Sequence, residues 1–386
     1  MVTRPFGTTN PAPSLRPLDA DLAARWDRLA LDSGAPAFVR PGWLGAWADA
    51  FGRTSALRAL TVERAGELVA VLPLLSGPAG LTLSSPTNSE TAVFAPVAAD
   101  ADAAATLGEK LLSLRTAAID LTALAADDPH VEALHAAAGA ARASVLRRTL
   151  RKSPYIDVSG DPAAFDRRLS KNRRHGLKRL QNRLRDAGEL TFDVHDDGGN
   201  PDGHISDDLA ALLRDGYRLE AREWKLAAGS AILSSPATTA FYTSAAKWAA
   251  EQGILRLAFL RLDGRPIAFG YCLQQGPTLS FLKLGMDDEF QKLGPGMVLT
   301  RHLIDYAFAE PGVTELDLLG ENDAYKADLA SGTREQIRMQ VFPSRRIGAA
   351  QRAAVVSVAG LRTSLVERLP EPARDRLSAL RNRLRR

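Results

Sequence analysis

The sequence contains very little that could support metal, redox or disulfide chemistry. Cys272 is the only cysteine in 386 residues, which excludes an intramolecular disulfide, a cysteine cluster for zinc and a C-x-x-C redox pair. The six histidines do not stand in H-E-x-x-H or another ligand spacing, and the sequence has no G-x-S-x-G elbow and no P-loop. We therefore expect neither a metal centre nor a serine hydrolase.

Long apolar segments are also missing. Apolar runs such as LVAVLPLL are far shorter than a bilayer span, and the first residues lack a basic segment followed by an apolar core. With 45% hydrophobic and 24% charged residues, the chain has a globular composition and enough length for two cores. The sequence predicts a cytoplasmic protein with more than one structural unit.

Positive charge is concentrated in two segments. Residues 167–185 hold nine Lys and Arg and no acidic residue, and residues 344–386 hold eleven Arg and three acidic residues. The formal net charge of the whole chain is only +4, so the rest of the chain is acidic. Most such runs are solvated helix faces, but this much uncompensated charge also attracts polyanions.

An internal repeat predicts the architecture. Three strand-like segments that begin at Gly66, Leu81 and Ile119 recur 197 or 198 residues later: GELVAVLPLL as GRPIAFGYCL, LTL as LSF, and IDLTAL as LDLLGE. Each half follows the order strand, tight turn, strand, connection, helix and strand. We predict an α/β fold with mixed sheets, built by tandem duplication of one unit. The predicted limits are residues 1–155 and 156–345 for the two units and 346–386 for a basic, amphipathic helical tail.

A glycine-rich turn joins a strand to a helix in the second half. In FQKLGPGMVLTRHLIDYAF, residues 290–308, Gln291, Gly294 and Gly296 form the pattern Q-x-x-G-x-G. The first N–H groups of a helix have no intrahelical partner and the helix dipole is positive there, so the turn is a candidate anion site. A plain helix-opening turn is the alternative, since Pro295 suits the first helical turn in either case.

This turn resembles the pyrophosphate-binding motif of the GNAT superfamily of acyl-CoA N-acyltransferases. Together with WLGAW, SKNRRHGLKRLQNRL, EAREWK, GRPIA and LDLLGENDAYKADLASG, it resembles the CelD/BcsL-type acetyltransferases, which are associated with cellulose biosynthesis. That family is related to the Fem-type peptidyltransferases, which use aminoacyl-tRNA and also carry two GNAT-like units. The resemblance covers roughly residues 20–345, and it implies an acyltransferase built from two GNAT-like units.

The resemblance also implies a cofactor site in the second unit alone. In the first unit, TLGEK at Thr106–Lys110 takes the place of the glycine turn, so we expect no cofactor there. GNAT enzymes polarise the thioester carbonyl with a backbone N–H of the strand before the turn. The residues implied to hold acetyl-CoA or another acyl-CoA as co-substrate are Gln291, Gly294, Gly296, Met297 and Leu284.

Acyl transfer from a thioester to an amine requires a deprotonated nucleophile, a polarised carbonyl and protonation of the leaving thiolate. The resemblance implies that Tyr325, on the helix after TELDLLG, is the general acid. Asp317 and Glu321 are the nearest carboxylates that could relay a proton from the acceptor. Two alternatives stay open: Tyr325 is a packing residue, or Glu321 is an acid favoured at a helix start.

The expected acceptor is the amine of a sugar or another small polar metabolite. The resemblance places Glu223, Trp224 and Lys225, from EAREWK, at the acceptor pocket, and Arg173 and Lys326 are the other candidate substrate contacts. A solvated helix end with i,i+3 charge pairs would explain the EAREWK cluster equally well.

The basic segment at residues 167–185 leaves other classes of function open. A Fem-type peptidyltransferase that uses aminoacyl-tRNA, or a non-catalytic protein that binds polyanions, would use the same charge. An apolar stripe indicates that the segment packs on the protein body: Leu169, Leu177, Leu180 and Leu184. Since interleaved aromatic residues and nucleic-acid-binding motifs are missing, we do not expect nucleic acid as a partner, with tRNA as the exception left open. The basic tail is a candidate for peripheral contact with an anionic membrane.

Overall fold

The structure is a computed structural model, and it describes residues 14–196, 206–221, 229, 231–344, 347–355 and 357. The strands are β1 (Arg16–Pro17), β2 (Leu57–Arg64), β3 (Glu67–Ser76), β4 (Thr82–Ser84), β5 (Val97–Ala98), β6 (Ala118–Ala125), β7 (Ser144–Asp157), β8 (Leu190–His195), β9 (Leu255–Leu262), β10 (Arg265–Gln275), β11 (Thr278–Met286), β12 (Glu315–Asp317) and β13 (Gly332–Phe342). The helices are α1 (Ala20–Asp32), α2 (Pro41–Ala50), α3 (Ala101–Ser113), α4 (Pro129–Ala140), α5 (Pro162–Arg168), α6 (Lys171–Ala187), α7 (Asp207–Glu220), α8 (Pro236–Glu251), α9 (Pro295–Ala309) and α10 (Ala324–Ala327).

All of these strands belong to one mixed sheet, whose order shows the duplication. The order is β1-β2-β3-β4-β6-β13-β7-β12-β11-β10-β9-β8, and β5 pairs with β3. The series β2-β3-β4-β6 and β9-β10-β11-β12 each contain two antiparallel pairs followed by one parallel pair. Leu83 pairs with Ile119 in the first parallel pair, and Leu279 pairs with Leu316 in the second. The predicted tandem α/β fold is confirmed.

The two equivalent hairpins use the same turn. Ala65 and Gly66, between β2 and β3, have φ angles of 52° and 87°. Asp263 and Gly264, between β9 and β10, have φ angles of 50° and 78°. Two consecutive positive φ angles are typical of a type I′ turn, which matches the twist of the flanking strands. The repeated glycine in the sequence therefore reflects a backbone conformation that both units need.

The two units interlock at the centre of the sheet. β7, at the end of the first unit, pairs with β12 of the second, whereas β13, at the end of the second unit, pairs with β6 of the first. β7 and β13 also pair with each other along their length. Each unit thus obtains the strand at its inner edge from the other. The predicted boundary at residue 155 lies inside β7, and the domain limits stay a prediction.

Helices cover both faces of the second half of the sheet. Along β10, Phe269, Tyr271 and Leu273 join one core with α7, α8 and the first unit, while Ala268 and Cys272 join another core with α5, α6 and α9. Successive residues of a strand point to opposite faces, so α7 and α8 lie on one face and α6 and α9 on the other. The two helix pairs therefore flank the same strands from opposite sides.

The basic segment at residues 167–185 packs on the body as its leucine pattern predicts. Its four leucines join the core beside α9, with Leu180 half-buried and the others buried. The predicted tail lies mostly outside the described residues, and residues 348–355 of it are helical. Among the described residues, no helix is both long and apolar enough to cross a membrane.

Candidate functional site

The glycine turn opens α9 with an uncapped helix end. Gly294 is the N-cap residue, and its φ angle of 65° lies in the left-handed region that favours glycine. The N–H groups of Met297 and Val298 donate to the Gly294 carbonyl over 3.0 and 3.2 Å. In the part of the chain that the structure describes, neither a side-chain cap nor a hydrogen bond from the Gly296 N–H is present. The positive end of the helix dipole therefore lies at this turn together with one backbone donor that has no hydrogen bond, on Gly296, which is buried beside Met286 and Leu284.

Gln291 and Met297 contribute to the turn through their backbone. The Gly294 N–H donates to the Gln291 carbonyl over 3.0 Å, and the Gln291 side chain is exposed. The Met297 N–H is already used within the turn, as described above. Of the predicted cofactor residues in the turn, Gly296 has the backbone donor that is best placed for an anion.

The equivalent helix of the first unit, α3, is closed by its own side chains. Its N-cap residue Asp100 accepts a hydrogen bond from the Ala103 N–H over 2.7 Å and pairs with Arg64 over 2.8 Å, and Asp102 adds a second carboxylate in the first turn. The alignment of Thr106–Lys110 with the glycine turn was wrong, because these residues lie inside α3. Gly108 serves packing, since a Cβ there would lie 2.7 Å from the Cβ of Ala137.

Beside the glycine turn, β11 and β12 separate. Their parallel pairing ends where Ser280 meets Asp317, while β11 continues to Met286. β11 also contains a β-bulge, because Tyr271 and Cys272 of β10 pair with Lys283 and Phe281 and leave Leu282 between them. A cavity of about 100 Å³ occupies the gap. Its lining includes Leu282, Leu284, Leu319, Gly320, Tyr325 and Lys326.

The corresponding gap of the first unit is filled by its own chain. Beyond β4, the Ser85 N–H donates to the Asp120 carbonyl over 3.0 Å, and the Phe94 N–H donates to the Ala123 carbonyl over 2.9 Å. Phe94 also forms a parallel bridge with Leu124 and is only 1% exposed. Within its described residues, the first unit therefore lacks the uncapped helix start and the open gap that the second unit has.

Tyr325 and Lys326 approach the gap from α10. Burial raises the pKa of Tyr325 to about 12, and Asp323 contributes to this rise. The phenol is therefore neutral at ordinary pH and can donate a proton. The Lys326 ammonium donates to the carbonyls of Leu318 and Leu319 over 3.1 and 2.8 Å, and burial lowers its pKa. Lys326 therefore holds the chain after β12 in place as well as lining the cavity.

Asp317 ends β12 at the point where the strands separate. It is half-buried, and the Leu319 N–H donates to its Oδ1 over 2.9 Å. Burial raises the pKa of Asp317 from 3.8 to about 6, with Glu315 adding to the rise and Arg334 and Lys326 opposing it. A carboxyl group that titrates near neutral pH can accept and release a proton during turnover.

Glu321 is exposed, and its carboxylate interacts electrostatically with Arg151, a residue that sequence reasoning missed. Burial lowers the pKa of Arg151, and the carboxylates of Glu321 and Asp317 oppose that change. The Arg151 guanidinium donates to Gln336 Oε1 over 2.8 Å and to the Thr91 carbonyl over 3.1 Å. It thus ties the central strands to a loop of the first unit. No sequence signal distinguished Arg151 from the other basic residues of β7.

A second group of residues that sequence reasoning missed lies on the opposite side of β11. Glu90 of the first unit accepts hydrogen bonds from the Lys283 ammonium over 3.0 Å and from the Tyr242 hydroxyl over 3.1 Å. The side chains of Glu90 and Lys283 are 7% and 15% exposed. This buried pair connects the first unit to β11 next to the bulge.

The structure brings some predicted residues together and separates others. A Cβ on Gly296 would lie 3.4 Å from Leu284 Cδ2, so the turn adjoins the gap that Leu284, Tyr325 and Lys326 line. Arg173 lies elsewhere, in a cavity of about 370 Å³ beside α6, where it pairs with Asp328. Glu223, Trp224 and Lys225 lie outside the described residues.

Comparison with known proteins identifies the region that holds this site. Residues 171–327, from α6 through α10, match a family model described as an acetyltransferase (GNAT) domain. No curated protein matches the chain in sequence. The matched segment contains the glycine turn, the gap between β11 and β12, and Tyr325.

Solved structures share the fold over most of the chain. A C-terminal domain described as part of a lysylphosphatidylglycerol synthetase from Agrobacterium fabrum has 14% identity and a TM-score of 0.52, over 87% of this chain and 96% of that one. A Bacteroides thetaiotaomicron protein of unknown function has 12% identity and a TM-score of 0.54, over 86% and 99%. FemX has 11% identity and a TM-score of 0.54, over 82% and 95%. The chain has a two-unit GNAT-like fold, and the GNAT domain match over residues 171–327 supports an acyltransferase.

Proposed function

We propose that the chain is an acyl-CoA-dependent N-acyltransferase of the CelD/BcsL type, with an acetyl donor, that acts on the amine of a sugar or small polar metabolite. The uncapped start of α9 beside the separated strands is the observation that carries this proposal. In the proposed complex the diphosphate lies against the Gly296 N–H. The thioester lies in the gap lined by Leu284 and Tyr325.

The residues around the gap suit the three chemical requirements of acyl transfer. A backbone N–H of β11 near the bulge at Leu282, in the stretch that includes Leu284, polarises the thioester carbonyl. Asp317 accepts the amine proton, directly or through Glu321, as the nitrogen lone pair forms a bond to the carbonyl carbon. Tyr325 donates its proton to the thiolate as the carbon–sulfur bond breaks.

The remaining parts of the chain have supporting roles in this proposal. The first unit, residues 1–155, holds no cofactor and contributes Glu90 and β7 to the second unit, residues 156–345. Arg173, Glu223, Trp224, Lys225 and Lys326 remain candidates for substrate contact. The reaction requires no metal, the enzyme works in the cytoplasm, and the tail from residue 346 is the candidate for membrane contact.

The position of α6 favours one second candidate, an aminoacyl-tRNA-dependent transferase of the Fem type. Leu180 of α6 packs against Gly294, since a Cβ at Gly294 would lie 3.0 Å from its Cδ1. The basic residues of α6, of which Arg173 is paired with Asp328, therefore lie on a helix beside the glycine turn, where a polyanionic donor would benefit from them. FemX has the same fold.

Direct titration of the purified chain distinguishes the two donors. We expect acetyl-CoA to bind with a Kd below the millimolar range, and longer acyl-CoAs will show which chain length the gap accepts. Charged tRNA should bind weakly, if at all. Tight, salt-dependent binding of charged tRNA without binding of any acyl-CoA would favour the Fem-type alternative.

A further inference from the structure

The cavity beside α6 has no role in the mechanism above. It has a volume of about 370 Å³ and lies between the first half of α6 and the residue that follows α10. Asn172, Arg173, Arg179 and Asp328 supply most of its polar lining, and Leu177 and Leu180 supply an apolar wall. Pockets of roughly 300–1,000 Å³ with an apolar body and a few polar groups are typical of sites for small molecules.

This cavity adjoins the glycine turn. Leu180 lines the cavity and also contacts Gly294, so one side chain separates the cavity from the proposed diphosphate position. α6 is held firmly in this place by the burial of Leu177 and Leu184 and by a 3.4 Å contact between Gln181 and His302 of α9. The cavity therefore lies directly beyond Leu180 from the glycine turn, on a helix that packs firmly on the body.

Of the two arginines that line the cavity, Arg179 is available to bind an anionic ligand. Arg173 pairs with the Asp328 carboxylate, so these two charges compensate each other. Arg179 lines the same cavity, is exposed, and forms no ion pair within the described part of the chain. Arg168, which ends α5, is already engaged, because its guanidinium donates to the carbonyl of Leu329, the residue after Asp328, over 2.7 Å. The cavity therefore offers an unpaired guanidinium beside an apolar wall.

We propose that this cavity binds the adenosine 3′-phosphate end of acyl-CoA. Arg179 pairs with the ribose 3′-phosphate, and Leu177 and Leu180 pack against the adenine. The paired N–H groups of an arginine guanidinium match two oxygens of a phosphate. In CoA the diphosphate is attached to the same ribose that carries the 3′-phosphate, so a ligand with its diphosphate at Gly296 has its 3′-phosphate close by. This inference rests on the proposed use of acyl-CoA.

Dephospho-CoA provides the test, because it lacks only the 3′-phosphate. We would measure the Kd of CoA and of dephospho-CoA by calorimetry for the wild type and for Arg179→Gln. Arg183→Gln is the matched control, since Arg183 is exposed on the same helix and does not line the cavity. Both substitutions replace exposed residues and keep the buried face of α6, so the fold is retained.

The wild type should bind CoA at least about tenfold more tightly than dephospho-CoA, the range expected for one charged hydrogen-bonding contact. Arg179→Gln should weaken CoA binding and leave dephospho-CoA binding unchanged, so that the ratio falls to within about twofold of one. Arg183→Gln should keep the wild-type ratio.

Three outcomes would overturn the inference. Equal affinity of the wild type for the two ligands would refute the 3′-phosphate site and leave the proposed acyl-CoA function intact. An equal loss of discrimination in Arg179→Gln and Arg183→Gln would show a general effect of positive charge on α6 instead of a site. Failure of both ligands to bind would contradict the proposed function and the inference together.

Discussion

Replacing Asp317 with Asn should abolish most of the activity and yet stabilise the protein above about pH 7. Burial raises the pKa of Asp317 from 3.8 to about 6, so the folded protein disfavours the ionised carboxylate. A rise of about two pKa units corresponds to about 3 kcal/mol of lost stability when the group is fully ionised. Asn keeps an oxygen for the Leu319 N–H and removes the charge.

The sign of the pH dependence follows from this raised pKa. Protonated Asp317 contributes its full stabilisation below the unfolded pKa near 3.8, and the contribution is lost as the pH rises through about 6. The wild type therefore carries the whole cost at about pH 8 and recovers about 1.4 kcal/mol of it at about pH 5. The stability advantage of Asp317→Asn should shrink by that amount between the two conditions.

Urea unfolding at about pH 5 and about pH 8 measures this difference. Asp120→Asn is the matched control, because Asp120 occupies the equivalent position on β6, where it pairs with Ser84 as Asp317 pairs with Ser280. Asp120 accepts a hydrogen bond from Arg338 over 2.7 Å, so its replacement should destabilise the protein at about pH 8. If Asp317→Asn is less stable than the wild type at about pH 8, or if the difference does not change with pH, the carboxylate is not disfavoured and the reasoning fails.

Three further outcomes follow from the contacts described above. Tyr325→Phe should lower turnover at saturating acyl-CoA by roughly 10²- to 10⁴-fold without changing acyl-CoA affinity, and turnover within about twofold of the wild type would make Tyr325 a packing residue. Gly42→Ala should lower the melting temperature, since its Cβ would lie 2.0 Å from an indole nitrogen on α8, whereas Gly45→Ala, with open space around it, should not. Glu90→Gln should destabilise the protein by about 3 kcal/mol in urea unfolding because it removes the carboxylate that pairs with the largely buried Lys283 ammonium. Adding Lys283→Met should recover part of this loss, and no recovery would show that the two side chains are not coupled.

The sequence predicted the repeated strands and the glycine turn because both depend on local patterns. Alternating apolar residues and a glycine at Gly66 and Gly264 specify hairpins through short-range geometry. The exchange of β7 and β13 depends on pairing between residues nearly two hundred positions apart, which local patterns do not encode. The placement of Thr106–Lys110 failed for a related reason, since a lone glycine was matched to a turn although it serves helix packing.

The sequence alone identified a residue of the candidate site only where a physical requirement of the backbone restricts the residue type. Gly294 was identifiable because a left-handed N-cap favours glycine. Tyr325 and Asp317 followed from the family resemblance, but the burial that raises their pKa values required the folded chain. Arg151 and Glu90 were missed because their importance comes from contacts between the two units, and each lies in a segment without a recognisable motif.

The affinity of the wild type and of Gly296→Asp for CoA, measured by calorimetry, tests the central claim most directly. Asp102 stands at the equivalent helix position in α3, where it is exposed, whereas an aspartate at the buried Gly296 would place a negative charge where the diphosphate should lie. Gly296→Ala is the control, since its Cβ would meet only the flexible side chains of Met286 and Leu284. We expect the wild type and Gly296→Ala to bind CoA and Gly296→Asp to lose at least about tenfold in affinity. No binding by the wild type at millimolar CoA, or equal binding by Gly296→Asp, would contradict the account.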